Sequence, residues 1–254
     1  MPATPPVSAR ERARASFTAD LLAAARTRIA AEGAAELSLR AVARDLGVSS
    51  SAVYRYVDSR DALLTLLIIE AYDEVGTVVE TAAASATAAD PPADPGTTWL
   101  AVGRAFIGWA REHRHSFELV YGTPVPGYAA PPDTVVHATR VWAVLGATVA
   151  AAAQRGELGP AALDGVAHGL MSTEMIDAAV RLVGGPVAGP AVPRELVENL
   201  VVRTVPLFTT LLGATTAELF GHLHGMTDDH DALLDAVLAA AGASVGLRVP
   251  LGGG

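Results

Sequence analysis

Between residues 38 and 60 the chain reads SLRAVARDLGVSSSAVYRYVDSR, packing hydroxyls and guanidinium groups around one glycine. Ser38, Arg40, Ser49, Ser50, Ser51, Tyr54, Arg55, Tyr56 and Arg60 are the polar candidates of this stretch. What these groups share is a capacity to bind oxyanions. Hydroxyls and arginine reach phosphate oxygens, and arginine also reads guanine edges in a major groove. Serines that open a short helix would leave backbone N–H groups accessible, and a helix N-terminus attracts phosphate. Arg10, Arg12 and Arg14 add a second positive group. Two readings stay open for them: an arm reaching an adjacent groove, or a solvated helix start.

The elements that must position these side chains are helical. After a flexible stretch over residues 1–9, FTADLLAAARTRIAAEG carries Leu21, Leu22, Ala25 and Ile29 at helical spacing, and Gly33 stops it. Ser38 is the expected cap of a two-turn helix with Leu39, Val42, Ala43 and Leu46 on one face, closed by Gly47. A third short helix is expected from Ser49 or Ser50 to Tyr56. Helices this short need tertiary partners, which Leu39, Val42, Leu46, Val48 and Val53 can supply. Two short helices around a glycine turn, after a longer supporting helix, make a helix-turn-helix.

Beyond residue 60 the pattern predicts longer helices: Asp61 to about Ala84, one through Trp99 and Trp109, and one through Trp142 to about Arg155. Others follow from Gly159-Pro160 to about 184, over 194–224 and over 228–246, with a disordered tail from 247. No strand pattern occurs. The expected fold is all-α: a three-helix DNA-binding domain over 1–60, a larger helical bundle over 61–246 for ligand binding and dimerisation, and the tail.

Composition narrows the function. The absence of cysteine excludes disulfides, thiolate metal sites and a cysteine nucleophile. The net charge is −9 and every basic residue is arginine. Residues 1–60 hold 9 Arg against 6 acids, a net of +3; the remainder holds 9 against 21, a net of −12. A basic head on an acidic body suits a protein that meets a polyanion with one end. No apolar run of membrane-spanning length and no signal peptide are read, so a cytoplasmic protein is expected. Hydrolase elbows, phosphate loops and zinc-protease motifs are absent, so no enzyme activity and no cofactor are expected.

The residues LRAVARDLGVS, followed by AVYRYVDSRDALL, resemble the DNA-binding domain of the TetR family of bacterial repressors over residues 16 to about 66. The resemblance implies a homodimer that inserts one helix per subunit into a major groove. It also implies backbone contacts from Ser38, Arg40, Ser49, Ser50, Tyr54, Tyr56 and Arg60, with Ser51 and Arg55 facing bases. Many members carry lysine where Ser50 and Arg60 stand here, so Arg10, Arg12 and Arg14 would contribute more.

In the body, HRHSFELVYGTPVPG and TTAELFGHLHGMTDDHDALLDAVLAAAG are similar to a subset of actinobacterial-type regulators, whose last two helices pair with their mates. That similarity implies a dimer seam at Val205, Leu212, Gly213, Thr216, Phe220, Leu234, Val237 and Leu238, with Gly213 and Gly221 permitting close approach; the other reading is intramolecular core, which some of this face must be. Aromatic and sulfur side chains suggest an apolar pocket among Phe106, Trp109, Phe117, Tyr121, Trp142, His168, Met171, Met175 and Phe208, with Arg140, Ser172 and Glu174 as further polar candidates. His222, His224, Asp228, Asp229 and His230 are read as a helix end and cap at Thr227 or Asp228 rather than a metal site. The combined expectation is a repressor released from a palindromic double-stranded operator by a small apolar or amphipathic effector. The alternative is a helical small-molecule-binding or protein-interaction module without DNA binding.

Overall fold

The computed structural model describes residues 8–161, 163–164, 169–184 and 193–250. His168 of the expected pocket lies outside them. Helices α1 to α11 follow in chain order, and no strand occurs among the described residues. Contacts divide the chain into two compact units, residues 1–74 with 113–138 and residues 75–112 with 139–254.

The first unit contains α1 (Ala9–Glu32), a short 3-10 turn (Ala34–Glu36), α2 (Leu39–Asp45), α3 (Ser50–Val53), the first half of α4 (Arg60–Thr87), α6 (Arg114–Tyr121) and α7 (Thr134–Ala138). α1 begins earlier than periodicity suggests. Ser8 and Glu11 form a reciprocal capping box, Ser8 Oγ accepting from Glu11 N–H and the Glu11 carboxylate from Ser8 N–H. The signal was present as SARE, but arginines hid it because they contribute no apolar stripe.

Leu21, Ala25 and Ile29 of α1 bury against Leu39, Val42, Val53, Val57, Leu63, Leu64 and Leu67. Leu46 and Val48 pack at the edge. Gly47, at φ +66°, makes the turn between α2 and α3, a backbone conformation that side chains disfavour. Ser38 stands at the expected cap position of α2 but makes no side-chain cap bond. Ser59, not Asp61, caps α4, its Oγ accepting from Ala62 N–H at 3.0 Å.

The second unit contains the rest of α4, α5 (Pro95–Glu112), α8 (Arg140–Gln154), α9 (Thr173–Gly184), α10 (Arg194–Leu219) and α11 (His230–Ser244). Asp94 caps α5, accepting from Thr97 N–H at 2.9 Å. Asp229, one residue beyond the expected cap, caps α11 by accepting from Ala232 N–H. α9 starts at Thr173, well after the expected Gly159-Pro160.

The core of this unit gathers Trp99, Phe106, Leu145, Val149, Leu207, Leu211 and Leu238. By length and apolarity alone α10 could cross a bilayer, contrary to expectation, and 39% of its most apolar window is buried. Its interior face carries Val197, Leu200, Leu207 and Leu211, and also Arg203.

Residues 246–250 depart from the expected disordered tail. Leu247 is buried, and its N–H donates to Gly242 O at 2.9 Å. Arg248 O lies so close to Gly96 that a Cβ there would stand 1.8 Å away. Sequence alone gave no warning, because GLRVPLGGG has loop composition and its docking depends on residues far away in the chain.

Candidate nucleic-acid interface

Buried α2 and α3 residues in the first unit fix what the polar ones can present. Val42 and Val53 are fully buried, while Arg40, Arg44, Ser49, Ser51, Tyr54 and Arg55 are exposed. Tyr54 keeps 46% of its surface accessible. Ser49 Oγ accepts from Ala52 N–H at 3.3 Å and lies 3.0 Å from Ser51 Oγ, so it is committed to its own helix start. Ser38 and Ser50 are half-buried.

Charge pairing divides the arginines. Arg26 pairs with Glu70, and Arg28 bridges Asp45 at 2.5 Å and Glu32 at 3.0 Å. The Arg28 guanidinium holds the Asp45 carboxyl below its usual range. Arg44, next to Asp45, forms no salt bridge with it but adds to the positive field that lowers its carboxyl pKa. Among the described residues Arg10, Arg12, Arg14, Arg40, Arg44 and Arg55 form no ion pair, which keeps their full charge available to a polyanion. Arg44 was not among the residues expected at the interface, and its exposure places it beside them.

Two expected contacts are placed differently. Arg60 directs its fork inward: Nε donates to Leu37 O at 3.1 Å, and one terminal nitrogen donates to both Ala34 O and Ala35 O at 3.0 Å. Its other terminal nitrogen meets Asp61. This guanidinium ties the start of α4 to the 3-10 turn. Tyr56 is half-buried, its ring against Phe17 with centroids 4.3 Å apart and with the Arg14 guanidinium 5.5 Å from its centroid. The long sequence separation of these pairs is why spacing did not reveal them.

The expected pocket residues fall in both units. Phe117 and Tyr121 belong to the first, in contact at 5.5 Å, and burial pushes the Tyr121 phenol pKa up. Phe106, Trp109, Trp142, Met171, Met175 and Phe208 belong to the second, where Trp142 and Phe208 stack at 4.1 Å. Met175 is 51% exposed. Arg140 is bound to Glu80 by two contacts and covers Gly76, which explains it structurally. Two cavities of the second unit are lined otherwise. One, about 480 Å³, involves Asp94, Gly96, Glu157 and Leu247–Pro250; the other, about 210 Å³, involves Arg104, Arg111, Asp231 and Asp235.

The expected dimer seam also separates. Leu234 and Leu238 are buried within the chain; Leu238 sits against Gly103, and its carbonyl accepts from Trp99 Nε1 at 2.7 Å. They are core residues. Val205, Leu212, Thr216 and Val237 are half-buried, Gly213 is exposed and Phe220 is 44% exposed. A Cβ at Gly213 or Gly221 would meet nothing within 4 Å, so neither permits a close approach inside the chain.

Comparison with known proteins agrees with this geometry. Residues 21–67 match the family described as bacterial regulatory proteins, tetR family, and residues 99–241 match the tetracyclin repressor-like C-terminal domain. The HTH-type transcriptional regulator Rv1816 of Mycobacterium tuberculosis is 38% identical over 232 residues, 91% of this chain and 92% of its own length. Its counterpart Mb1846 of Mycobacterium bovis matches equally. The solved regulatory protein SCO4313 superposes with a TM-score of 0.69 at 30% identity, covering 92% of this chain and 98% of its own. A tetR family transcription regulator of Shewanella sp. PV-4, at 14% identity and TM-score 0.55 over 88% and 96%, shares the fold. With the glycine turn, the buried α1–α3 core and the exposed tyrosine-arginine face in place, this chain belongs to the TetR family of DNA-binding transcriptional regulators.

Proposed function

We propose that this protein is a homodimeric repressor that binds a palindromic double-stranded operator and leaves it when a small apolar or amphipathic effector fills the body. The observation that carries the reading is the cluster of exposed arginines without ion pairs, Arg40, Arg44 and Arg55, beside exposed Tyr54 on the helix-turn-helix. Arg55 and Ser51 face bases. Arg40, Arg44 and Tyr54 reach phosphates, with Ser38, Ser49 and Ser50 at the margin and Tyr56 contributing from its half-buried place.

In the dimer, half-exposed Val205, Leu212, Thr216 and Val237, with Phe220, would form the seam. The aromatic pair Trp142 and Phe208, with Met171 and Met175, supports an apolar effector site in the body. Effector release follows if the occupied body favours a separation of the two reading helices that no longer matches successive major grooves, one helical turn of about 34–36 Å apart. The functional division at residue 60 belongs to the same proposal.

The test is selection of bound duplexes from a random library by the full-length protein at moderate salt. Recovery of an inverted repeat is expected, and its spacing measures the dimer. No enrichment at low salt would overturn the reading in favour of a helical module without DNA binding.

A further inference from the structure

Arg10, Arg14, Phe17 and Leu21 recur at i, i+4, i+7 and i+11 on α1, so they share one helical face. Leu21 is buried in the core of the first unit, and Phe17 and Arg14 both meet the Tyr56 ring. The face that packs the core therefore runs on past the core, carrying Arg14 alongside Tyr56 and Arg10 one turn further. Arg12 lies two residues from each and turns to the other side of the helix. Both Arg10 and Arg14 are exposed and form no ion pair among the described residues.

The helical state decides what these arginines can do. A groove-inserting arm must be extended and slender, whereas an α-helix with side chains is about 10–12 Å across and a minor groove only about 6 Å wide. The Ser8–Glu11 capping box holds residues from Ala9 onward in the helix. Their guanidinium groups then meet the edge of the duplex rather than its base pairs.

We propose that Arg10 and Arg14 form a phosphate grip beside Tyr56, binding the DNA backbone flanking the recognised half-site without reading sequence, and that Arg12 takes no part. Arg14 also positions Tyr56 through its contact with the ring. The inference rests on the DNA-binding reading above.

The experiment measures affinity against salt for the full-length protein on two probes: a duplex recovered by selection and a mixed-sequence duplex of equal length. Each neutralised phosphate contributes about 0.9 to the slope of log K against log salt. Arg10→Ala/Arg14→Ala should lower that slope by about 1.8 per protomer on both probes, and Arg12→Ala should keep the wild-type slope. Arg10→Lys/Arg14→Lys, which retains point charges, should restore most of the slope and separates lost charge from lost folding. An unchanged slope in the alanine pair overturns the grip, as does an equal loss in Arg12→Ala. A loss confined to duplexes with A·T flanks also overturns it, because that would show groove reading by an unwound arm. If the wild-type protein binds neither probe, the DNA-binding reading itself fails and the grip with it.

Discussion

Most described arginines of the second unit are held by carboxylates, whereas the first unit mixes paired arginines with unpaired ones. Beyond α4, Arg104 is held by Asp235, Arg111 by Glu218 and Asp231, Arg140 by Glu80, Arg194 by Asp177 and Arg203 by Asp164. Around the helix-turn-helix, Arg10, Arg12, Arg14, Arg40, Arg44 and Arg55 form no salt bridge among the described residues, although Arg44 adds to the field on Asp45. One set neutralises carboxylates within the body; the other leaves its positive field open to a polyanion. Net charge alone would have hidden this, since the chain as a whole is acidic.

Substitutions can break the comparison, the largest effect first. Arg203 is 5% exposed and donates to Asn199 Oδ1 at 2.9 Å, Gly159 O at 3.0 Å and Val245 O at 2.7 Å besides Asp164. Arg203→Met should destabilise the second unit by about 3 kcal/mol, because two carbonyls lose their donor. Urea unfolding reads this, and an unchanged midpoint would show that the arginine is dispensable. Arg55→Ala should do the reverse. Stability should stay within about 0.5 kcal/mol, while discrimination at one operator position falls by about 2 kcal/mol. Equal loss on selected and mixed duplexes would instead make Arg55 a backbone contact.

Arg60 lies between the two classes. If its fork serves the carbonyls of Ala34, Ala35 and Leu37, Arg60→Ala should cost about 1–2 kcal/mol of stability in the first unit. Unchanged unfolding combined with weaker DNA binding would return it to the phosphate role that the family resemblance implied.

The smallest effect concerns Asp235, whose carboxyl the Arg104 guanidinium holds below its usual range. A carboxylate with a lowered native pKa stabilises the fold fully above its unfolded value, near pH 4. That contribution is lost as pH falls through the lower native value. Asp235→Asn should make the acid-induced loss of stability below about pH 4 shallower, with less than about 1 kcal/mol change at neutral pH. An identical acid titration in wild type and variant would contradict the pairing.

Much of the reading unit was legible because its determinants are local. Leu21, Ala25, Leu39, Val42 and Val53 declare their faces by period, and Gly47 declares a turn by the conformation it permits. The body was legible as helices but not as a site. Whether Leu238 joins a partner or a core, and whether Arg140 meets a ligand or Glu80, depends on residues tens of positions away.

Sequence by itself determined the helical class, the helix-turn-helix and the charge asymmetry, since periodicity, caps and counts are properties of short segments. Tertiary structure alone decided which charges stay available. Arg60 and Arg14 look alike along the chain, yet one faces carbonyls and the other a tyrosine ring. Packing of distant segments chooses the partner of many of these guanidinium groups, and that choice separates arginines bound within the fold from those left open to a polyanion.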